Sequence, residues 1–379
     1  MKHLFAEFFN THADNIFLFA KGRVGLYAVL EALNLKKGDE IIMPGYTCMV
    51  VPSAARFLNI QCKYADIDPE TYNINPSELD RNLTGATKAL IVQHTYGIPM
   101  DMNHVLKWAN KNNIPVIEDS CHAFGSRYKN RLCGTFGIAS FFSGQWNKPF
   151  FTGLGGMLLI NDEKTLPDLH KIYQLTQDVS LLENIQLKAQ IIAFNTVVTP
   201  RTNAMITNLY RFLSRIGIAA GSSSNEELEG KMPSGYFKKM APCQIKEGEK
   251  NLRHIQRSID ARKKNTKIYS IELKKIGFKP LRETPDFDSI ILRYPLRVAN
   301  KKEVLRLAAR YRLEIGSWFE VTLHPEGTDM TALGYHEGMC PNAEKASREV
   351  INLPTHAKIT PREISLIIEF LQNYAKPAY

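Results

Sequence analysis

Short apolar runs alternate with segments of helical periodicity from residue 22 to about residue 165. The helical segments read "GRVGLYAVLEALN" and "DMNHVLKWANKNN", and the apolar runs, which are predicted to be buried strands, read "EIIMP", "QCKYADID", "TKALIVQHTYG" and "IPVIEDS". This alternation implies right-handed crossovers between parallel strands. The pattern therefore predicts an α/β fold with a largely parallel sheet covered by helices on both faces.

The pattern changes at residues 165–235, where helical apolar segments replace the alternation and form a predicted insertion. One long basic helix is then predicted for the segment "CQIKEGEKNLRHIQRSIDARKKNTKIYSIEL", followed by a smaller α/β region. The last helix is predicted to begin at Thr360, because Pro361 suits a first turn and Glu363 completes a capping box. We therefore predict a large domain at 1–245 and a small C-terminal domain at 246–379.

The composition is that of an ordinary globular protein: of 379 residues, 44% are hydrophobic and 23% are charged. No run of 18 apolar residues and no signal peptide is visible, so we expect a cytoplasmic location. The six cysteines show no paired spacing, which favours free thiols over disulfides or a metal site.

The net charge of +10 suits an anionic partner. Nucleic acid is not expected, because the basic residues are scattered and do not alternate with aromatic residues along one stripe. A phosphorylated small molecule fits the charge at least as well.

Ligand-binding residues of such sheets lie just after the strands. Asp119 ends the fourth predicted strand, and Lys148 lies in "QWNKPFFTGLGG" after a further predicted strand. A partly desolvated lysine is a nucleophile for carbonyl carbon, and a lysine with a buried aspartate is the pair that pyridoxal 5'-phosphate requires. Alternatively, Asp119 caps the next turn and Lys148 is an ordinary loop lysine.

A phosphate group would need a cradle of donors. Gly22, Arg23 and Val24 open a predicted helix whose first amides could bind an anion, and Ser143 could add a hydroxyl group. The alternative is that Arg23 is a plain surface arginine.

Several motifs carry a family resemblance. They are "GDEIIMPGYTCMV", "DIDPETYNINPSELD", "HTYGIPMDM", "VIEDSCHAFG", "GTFGIASFFS", "KPFFTGLGG" and "CPNAEKASREVINLPTH". The chain resembles the DegT/DnrJ/StrS-type sugar aminotransferases of fold type I, from about Gly22 to Asp162 and from about residue 238 onward. The resemblance implies a mostly parallel seven-stranded-type sheet and a homodimer with active sites near its interface. It also implies that Lys148 forms the Schiff base, Asp119 faces the pyridinium nitrogen, Ser143 binds phosphate and His324 lies near the site.

The chain departs from the family at several of these positions. His122 replaces a glutamine near the cofactor ring. Cys48 replaces an aromatic residue that commonly stacks on the ring, so that role is expected for Tyr46, His122 or another aromatic residue. Arg23 replaces a small hydroxyl residue and is expected to strengthen phosphate binding. Lys239 stands where the family reaches toward the partner subunit's active site.

The resemblance implies an aminotransferase that moves an amino group from an amino acid, glutamate being expected, to a nucleotide-linked keto-sugar in surface polysaccharide synthesis. Three alternatives compete with it. The acceptor could be a cyclitol or a lipid-linked sugar, the protein could be a cofactor-bearing regulator without turnover, or the basic charge could serve nucleic-acid binding.

A helix is predicted within the insertion, in residues 200–222. Ile206, Leu209, Leu213 and Ile216 recur at helical spacing there, and Arg211 and Arg215 flank them. It is either an ordinary packed helix or an acceptor-site flap that meets a lipid surface or a partner subunit.

Overall fold

The protein is described by a computed structural model, which covers residues 1–146, 148–199, 202–215 and 219–378. The helices in these ranges are α1 (Lys2–Phe9), α2 (Gly22–Ala32), α3 (Val50–Arg56), α4 (Glu78–Asn82), α5 (Met102–Asn112), α6 (Leu166–Gln174), α7 (Leu181–Val197), α8 (Asn203–Arg215), α9 (Asn225–Leu228), α10 (Pro242–Arg253), α11 (Ile255–Lys275), α12 (Lys301–Arg310), α13 (Pro341–Glu349) and α14 (Pro361–Tyr374). The strands are β1 (Ile16–Phe19), β2 (Glu40–Pro44), β3 (Thr47–Cys48), β4 (Gln61–Ala65), β5 (Thr87–Gln93), β6 (Val116–Asp119), β7 (Arg127–Tyr128), β8 (Arg131–Leu132), β9 (Ala139–Ser143), β10 (Gly156–Ile160), β11 (Phe287–Asp288), β12 (Arg293–Arg297), β13 (Leu323–His324) and β14 (Val350–Pro354).

The main sheet has seven strands in the order β1-β10-β9-β6-β5-β2-β4. Strand β10 pairs antiparallel with both of its neighbours, while the other pairs are parallel. The predicted mostly parallel α/β sheet is confirmed. Its strands are almost wholly buried, which is the reason that the sequence shows them as continuous apolar runs.

Register brings the ends of the central strands together. Gln93 at the end of β5 pairs with Asp119 at the end of β6, and Asp119 pairs with Phe141 in β9, two residues before Ser143. The carboxyl edge of the sheet therefore carries Gln93, Asp119 and Ser143 side by side, as the strand-end argument predicts.

The C-terminal part of the chain approaches this edge through β13. Leu323 and His324 pair in parallel with Thr47 and Cys48 of β3, which places the preceding loop over the carboxyl ends of the sheet. The predicted boundary between residues 245 and 246 falls inside α10. The division into domains stays a prediction.

The long basic helix was predicted as one element, and the structure corrects this. It forms α10 and α11, which are separated at His254, where φ is −117° and ψ is 17°. Hydrophobic and charge patterns continue through this residue, so the sequence gives no breaker signal there. The capping box at Thr360 is confirmed, since Thr360 and Glu363 exchange side-chain and backbone hydrogen bonds.

The insertion contains α6 to α9, and the helix predicted within 200–222 is α8. Ile216 and the side chains of Arg211 and Arg215 lie outside the described residues. Leu209 and Phe212 on α8 are exposed, as are Leu181, Leu182 and Ile185 on α7. Within the described ranges, no helix combines the length and hydropathy needed to cross a membrane. All six cysteines are free thiols.

Candidate active site

A cleft opens at the carboxyl edge of the main sheet. Its walls come from the start of α2, the ends of β5, β6 and β9, the loop before β10, and the C-terminal residues Trp318 and Phe319. Most of the predicted site residues line it, namely Gly22, Arg23, Cys48, Asp119, His122, Ser143 and Lys148. The sheet therefore brings together residues that are spread over more than a hundred positions of sequence.

Lys148 is the nucleophile that the site offers. Only 7% of it is exposed, and its Nζ lies 4.5 Å from the centre of the Trp318 ring. Burial lowers the pKa of Lys148 from its ordinary value of 10.5 to about 8, although Cys121 and Asp119 act in the opposite direction. A sizeable fraction of the amine is therefore neutral and reactive near neutral pH.

Glycines beside Lys148 serve close backbone packing. A Cβ on Gly156 would lie 2.1 Å from the backbone nitrogen of Gly22, and one on Gly155 would lie 2.2 Å from Oγ1 of Thr152. Strand β10 can thus pass directly against the start of α2, while the loop closes through the hydrogen bond from Gly144 N to Gly155 O. The glycine run fixes the position of Lys148 relative to α2.

Asp119 is a buried carboxylate at the end of β6. One oxygen accepts a hydrogen bond from the backbone amide of Cys121 at 3.0 Å. Burial raises the pKa of Asp119, and the contacts with Cys121 and the charge of Lys148 oppose that shift. Among the described residues, no cation lies within ion-pair distance of this carboxylate, so it is suited to a cationic group of a ligand in the cleft.

The start of α2 is the predicted anion cradle. A Cβ on Gly22 would lie 2.8 Å from the carbonyl oxygen of Phe142, so the helix start packs directly against the end of β9 and Ser143. The amide of Val24, in contrast, donates to the carbonyl of Lys21 at 3.2 Å and its side chain is buried.

Arg23 is paired with a residue that the sequence analysis did not identify. Its Nη1 lies 2.5 Å from Glu227 Oε1 and 3.3 Å from Ser223 Oγ, and Glu227 is 1% exposed. Burial raises the pKa of Glu227, but Arg23 and Lys21 more than offset this and hold it below the ordinary value. The cation expected to be available for phosphate thus already has a buried counter-ion from the insertion.

An aromatic wall faces Lys148. The ring of His122 lies 4.7 Å from the Trp318 ring, and its Nδ1 accepts a hydrogen bond from the backbone amide of Tyr96. Burial and the nearby Lys148 and Arg293 hold the pKa of His122 well below its ordinary value, so this histidine is neutral. Tyr46 instead bonds to the hydroxyl of Tyr96 and lies behind the cleft wall.

Two predicted substrate residues lie outside the cleft lining. His324 is 3.7 Å from the Glu320 carboxylate and packs near the rings of Trp318 and Phe319. Lys239 Nζ lies 3.6 Å from an oxygen of Asp178, so its ion-pair partner lies outside the cleft lining. The sequence analysis did not identify Trp318, Arg293 or Glu227 as residues of the site. The sequence offers a signal for Trp318 only, which is its position close to the "TLHPEG" motif.

The residues present fit pyridoxal phosphate, because one cleft is lined by an amine that could anchor it, a carboxylate that could face its ring nitrogen, and amide and hydroxyl donors that could hold its phosphate. This arrangement on a seven-stranded, mostly parallel sheet defines a fold type I aminotransferase. Within that class, the chain belongs to the DegT/DnrJ/EryC1/StrS aminotransferase family, whose model matches residues 3–372. Members of this family depend on pyridoxal phosphate.

Comparison with individual proteins is consistent with this assignment. The chain is 39% identical over 164 residues to the GDP-perosamine synthase of Escherichia coli O157:H7, a match that covers 43% of this chain and 44% of that protein, less than half of its length. It is 26% identical over 359 residues to the UDP-2-acetamido-2-deoxy-3-oxo-D-glucuronate aminotransferase of Pseudomonas aeruginosa, which covers 93% and 84% of the two chains. The aminotransferase TlmJ from Streptoalloteichus hindustanus shares the fold with a TM-score of 0.74 at 20% identity, over 98% of this chain and 89% of that one.

Proposed function

We propose that the protein transfers an amino group from an amino acid to a keto-sugar, with pyridoxal phosphate held at Lys148. The observation that carries the proposal is the meeting of a buried lysine of lowered pKa with a buried carboxylate beside a helix start. Relatives named for GDP-linked and UDP-linked sugars support a nucleotide-linked acceptor, and glutamate is the proposed donor.

Each residue has a definite task in this proposal. When bound, the cofactor supplies an electron-withdrawing ring that stabilises negative charge on a substrate carbon. Lys148 holds the cofactor covalently and, once released, moves a proton at the substrate carbon, while Asp119 keeps the ring nitrogen protonated. Ser143, the amides of Gly22 and Arg23 and the Arg23 guanidinium bind the phosphate.

Neighbouring residues shape the rest of the site. The neutral ring of His122 is proposed to stack on the cofactor ring, a task for which Tyr46 is poorly placed behind the wall. Cys48 fills the position next to the cofactor. We propose that His324 contacts the acceptor next to Trp318 and Phe319. Lys239 is proposed to reach the active site of the second subunit of a homodimer.

Covalent trapping tests the assignment of Lys148. Borohydride reduction of the yellow protein should fix the cofactor to Lys148, as read by mass mapping of the peptides. Glutamate alone should then convert the visible spectrum of the unreduced protein, whereas a regulator without turnover would carry the cofactor and show no conversion. Attachment at another lysine would overturn the proposal.

Asp119→Asn separates binding from chemistry. The amide cannot keep the ring nitrogen protonated, so the variant should retain cofactor and lose most of its turnover. Cofactor content by absorbance serves as the control for folding. Turnover close to that of the unaltered protein would assign this task to another group.

A lipid-linked acceptor is a second candidate, and one observation favours it. The apolar side chains of Leu181, Leu182, Ile185, Leu209 and Phe212 are exposed on the insertion of a protein that we propose to be cytoplasmic. Such a face suits contact with a membrane surface. Deleting residues 200–222 should leave glutamate-driven conversion intact, impair transfer to the acceptor and weaken binding to anionic vesicles, since the apolar residues of α7 remain. An unfolded product would identify α8 as a packed structural helix.

A further inference from the structure

The insertion reaches the predicted phosphate end of the cleft through residues 221–230, which we call the insertion loop. Ser222 in this loop lines the cleft, and Oγ of Ser223 lies 3.3 Å from Nη1 of Arg23. Glu227, on the short helix α9, binds the same nitrogen at 2.5 Å and is only 1% exposed. A buried carboxylate therefore attaches the insertion loop to α2 at the point where we propose that a phosphate binds.

Glu227 is shared between two cations. Nζ of Lys21 lies 3.9 Å from one of its oxygens, and Nη1 of Arg23 binds the other. Lys238 also acts electrostatically on Lys21, but it has its own acid, Glu183, at 2.5 Å. Among the described residues, Glu227 is the one acid within ion-pair distance of Lys21 or Arg23, so two positive charges face one negative charge.

A phosphate group changes this balance of charge. A phosphate monoester carries about 1.5 to 2 negative charges near neutral pH, which is enough to balance Lys21 and Arg23 without any protein acid. With Glu227 still in place, the negative charges would outnumber the positive ones. A buried carboxylate is costly once its cation binds another anion. Phosphate and Glu227 therefore compete for the same two cations.

The guanidinium leaves a route for this exchange. Within the described ranges, both side-chain hydrogen bonds of Arg23 use Nη1, and the residue lines the cleft. Its Nε and Nη2 donors can therefore meet a phosphate oxygen while Glu227 is still bound. Binding of the phosphate and departure of the carboxylate can proceed in steps, without an intermediate in which Arg23 has no anion.

The insertion loop has internal contacts that do not depend on α2. Oγ of Ser224 accepts a hydrogen bond from the Glu227 amide at 3.2 Å, and the Glu227 carboxylate accepts one from the Ser224 amide at 2.9 Å. Leu228 packs against the main core, and its carbonyl accepts a long hydrogen bond from the Asp329 amide at 3.4 Å. Loss of the contacts with Arg23 would thus leave the fold of the loop itself intact.

We propose that Glu227 competes with a bound phosphate for Arg23 and Lys21, so that phosphate binding releases the insertion loop from α2. This rests on the proposed placement of the cofactor phosphate at the start of α2. Because Ser222 lines the cleft, release of the loop widens the cleft on the side of the insertion. The insertion thereby lowers the affinity for the cofactor and couples its binding to access for the acceptor.

Paired binding measurements isolate the phosphate. The cofactor-free protein is titrated with pyridoxal phosphate and with pyridoxal, which also reacts with Lys148 but has no phosphate. Glu227→Gln should tighten binding of pyridoxal phosphate about tenfold, the order of one charge-assisted hydrogen bond, and leave pyridoxal unchanged. Glu227→Asp keeps the charge and should stay close to the unaltered protein. Glu229→Gln is the matched control, because this acid of the same loop pairs with the exposed Lys231 and should not affect either ligand.

Hydrogen exchange tests the release in the unaltered protein. Adding inorganic phosphate to the cofactor-free protein should speed exchange of the amides in residues 221–231 severalfold, because the loop opens. Helix α5 contributes no residue to the cleft lining and should not respond. In Glu227→Gln the same loop amides should already exchange fast, and phosphate should add little.

Three results would overturn the inference. Glu227→Gln could weaken pyridoxal phosphate and not pyridoxal, phosphate could slow exchange in the insertion loop, or neither measurement could respond. If Glu227→Gln does not fold, the exchange experiment on the unaltered protein decides alone. Failure of cofactor attachment at Lys148 would instead refute the proposed function, and exchange with inorganic phosphate would still decide the role of Glu227.

Discussion

Two arginines, Arg23 in the lining of the cleft and Arg293 behind its Trp318 wall, are treated in opposite ways by the fold. Arg23 at the start of α2 is neutralised by the buried Glu227 of the insertion. Arg293 at the start of β12 meets the face of Trp318 and no acid among the described residues. The fold thus gives one arginine a carboxylate partner and the other an aromatic partner.

This difference concerns how the fold compensates a buried positive charge. At the α2 end, Lys21 also lies 3.9 Å from Glu227, so two cations share one carboxylate and some positive charge remains for a phosphate. Part of the positive charge of Arg23 is thus neutralised by Glu227 within the protein. Arg293 instead lies against an aromatic face, with Glu314 as the acid that acts on it electrostatically.

The largest expected effect concerns Glu227. Glu227→Gln keeps the shape of the side chain but leaves Arg23 buried without a counter-ion, so the free energy of unfolding should fall by about 3 kcal/mol. Urea denaturation of the cofactor-free protein measures this. Adding inorganic phosphate should stabilise the variant more than the unaltered protein, because phosphate can replace the lost carboxylate.

Arg293→Gln is the matched comparison in the same denaturation experiment. It removes a cation that has no partner, so the free energy of unfolding should stay within about 0.5 kcal/mol of the original or rise. Equal losses in the two variants would show that both arginines have internal counter-ions, and the contrast between the two ends would be lost.

The sequence was sufficient to predict which residues meet at the centre of the cleft and insufficient to predict their surroundings. Asp119 and Lys148 could be found because parallel strands end at one edge, so position along the chain determines position in the site. Glu227 lies 204 residues from Arg23, in a polar stretch that looks like an exposed loop. No periodicity indicates that this glutamate is buried, and its partner depends on how the insertion packs.

Arg293 and Trp318 show the same limit in another region. Their meeting with Lys148 depends on the pairing of β13 with β3, which joins segments about 275 residues apart through two residue pairs. Such short, distant pairings leave no pattern in the sequence. The prediction that Arg23 strengthens phosphate binding did not include Glu227 for the same reason.

A smaller effect is expected on cofactor retention. Arg23→Gln should weaken equilibrium binding of pyridoxal phosphate about tenfold, roughly 1.4 kcal/mol, since one shared charge-assisted contact is lost. The double variant with Glu227→Gln removes both partners and controls for the unpaired acid. Arg293→Gln should retain cofactor normally, and a comparable loss there would place the phosphate at the β12 end.

The smallest expected effect is a shift in the pKa of Lys148. Burial lowers this pKa to about 8, Asp119 and Cys121 act to raise it, and Arg293 lowers it further by charge repulsion. Cofactor capture needs the neutral amine, so its rate in the cofactor-free protein should rise with pH and reach half its maximum near pH 8. Arg293→Gln removes the repulsion and should move the midpoint upward by less than about one pH unit.

Glu227→Gln alters the other end of the cleft and should leave the midpoint in place. Stopped-flow absorbance across this pH range checks both, and a midpoint that moves with Glu227 but not with Arg293 would reverse the roles assigned to the two ends.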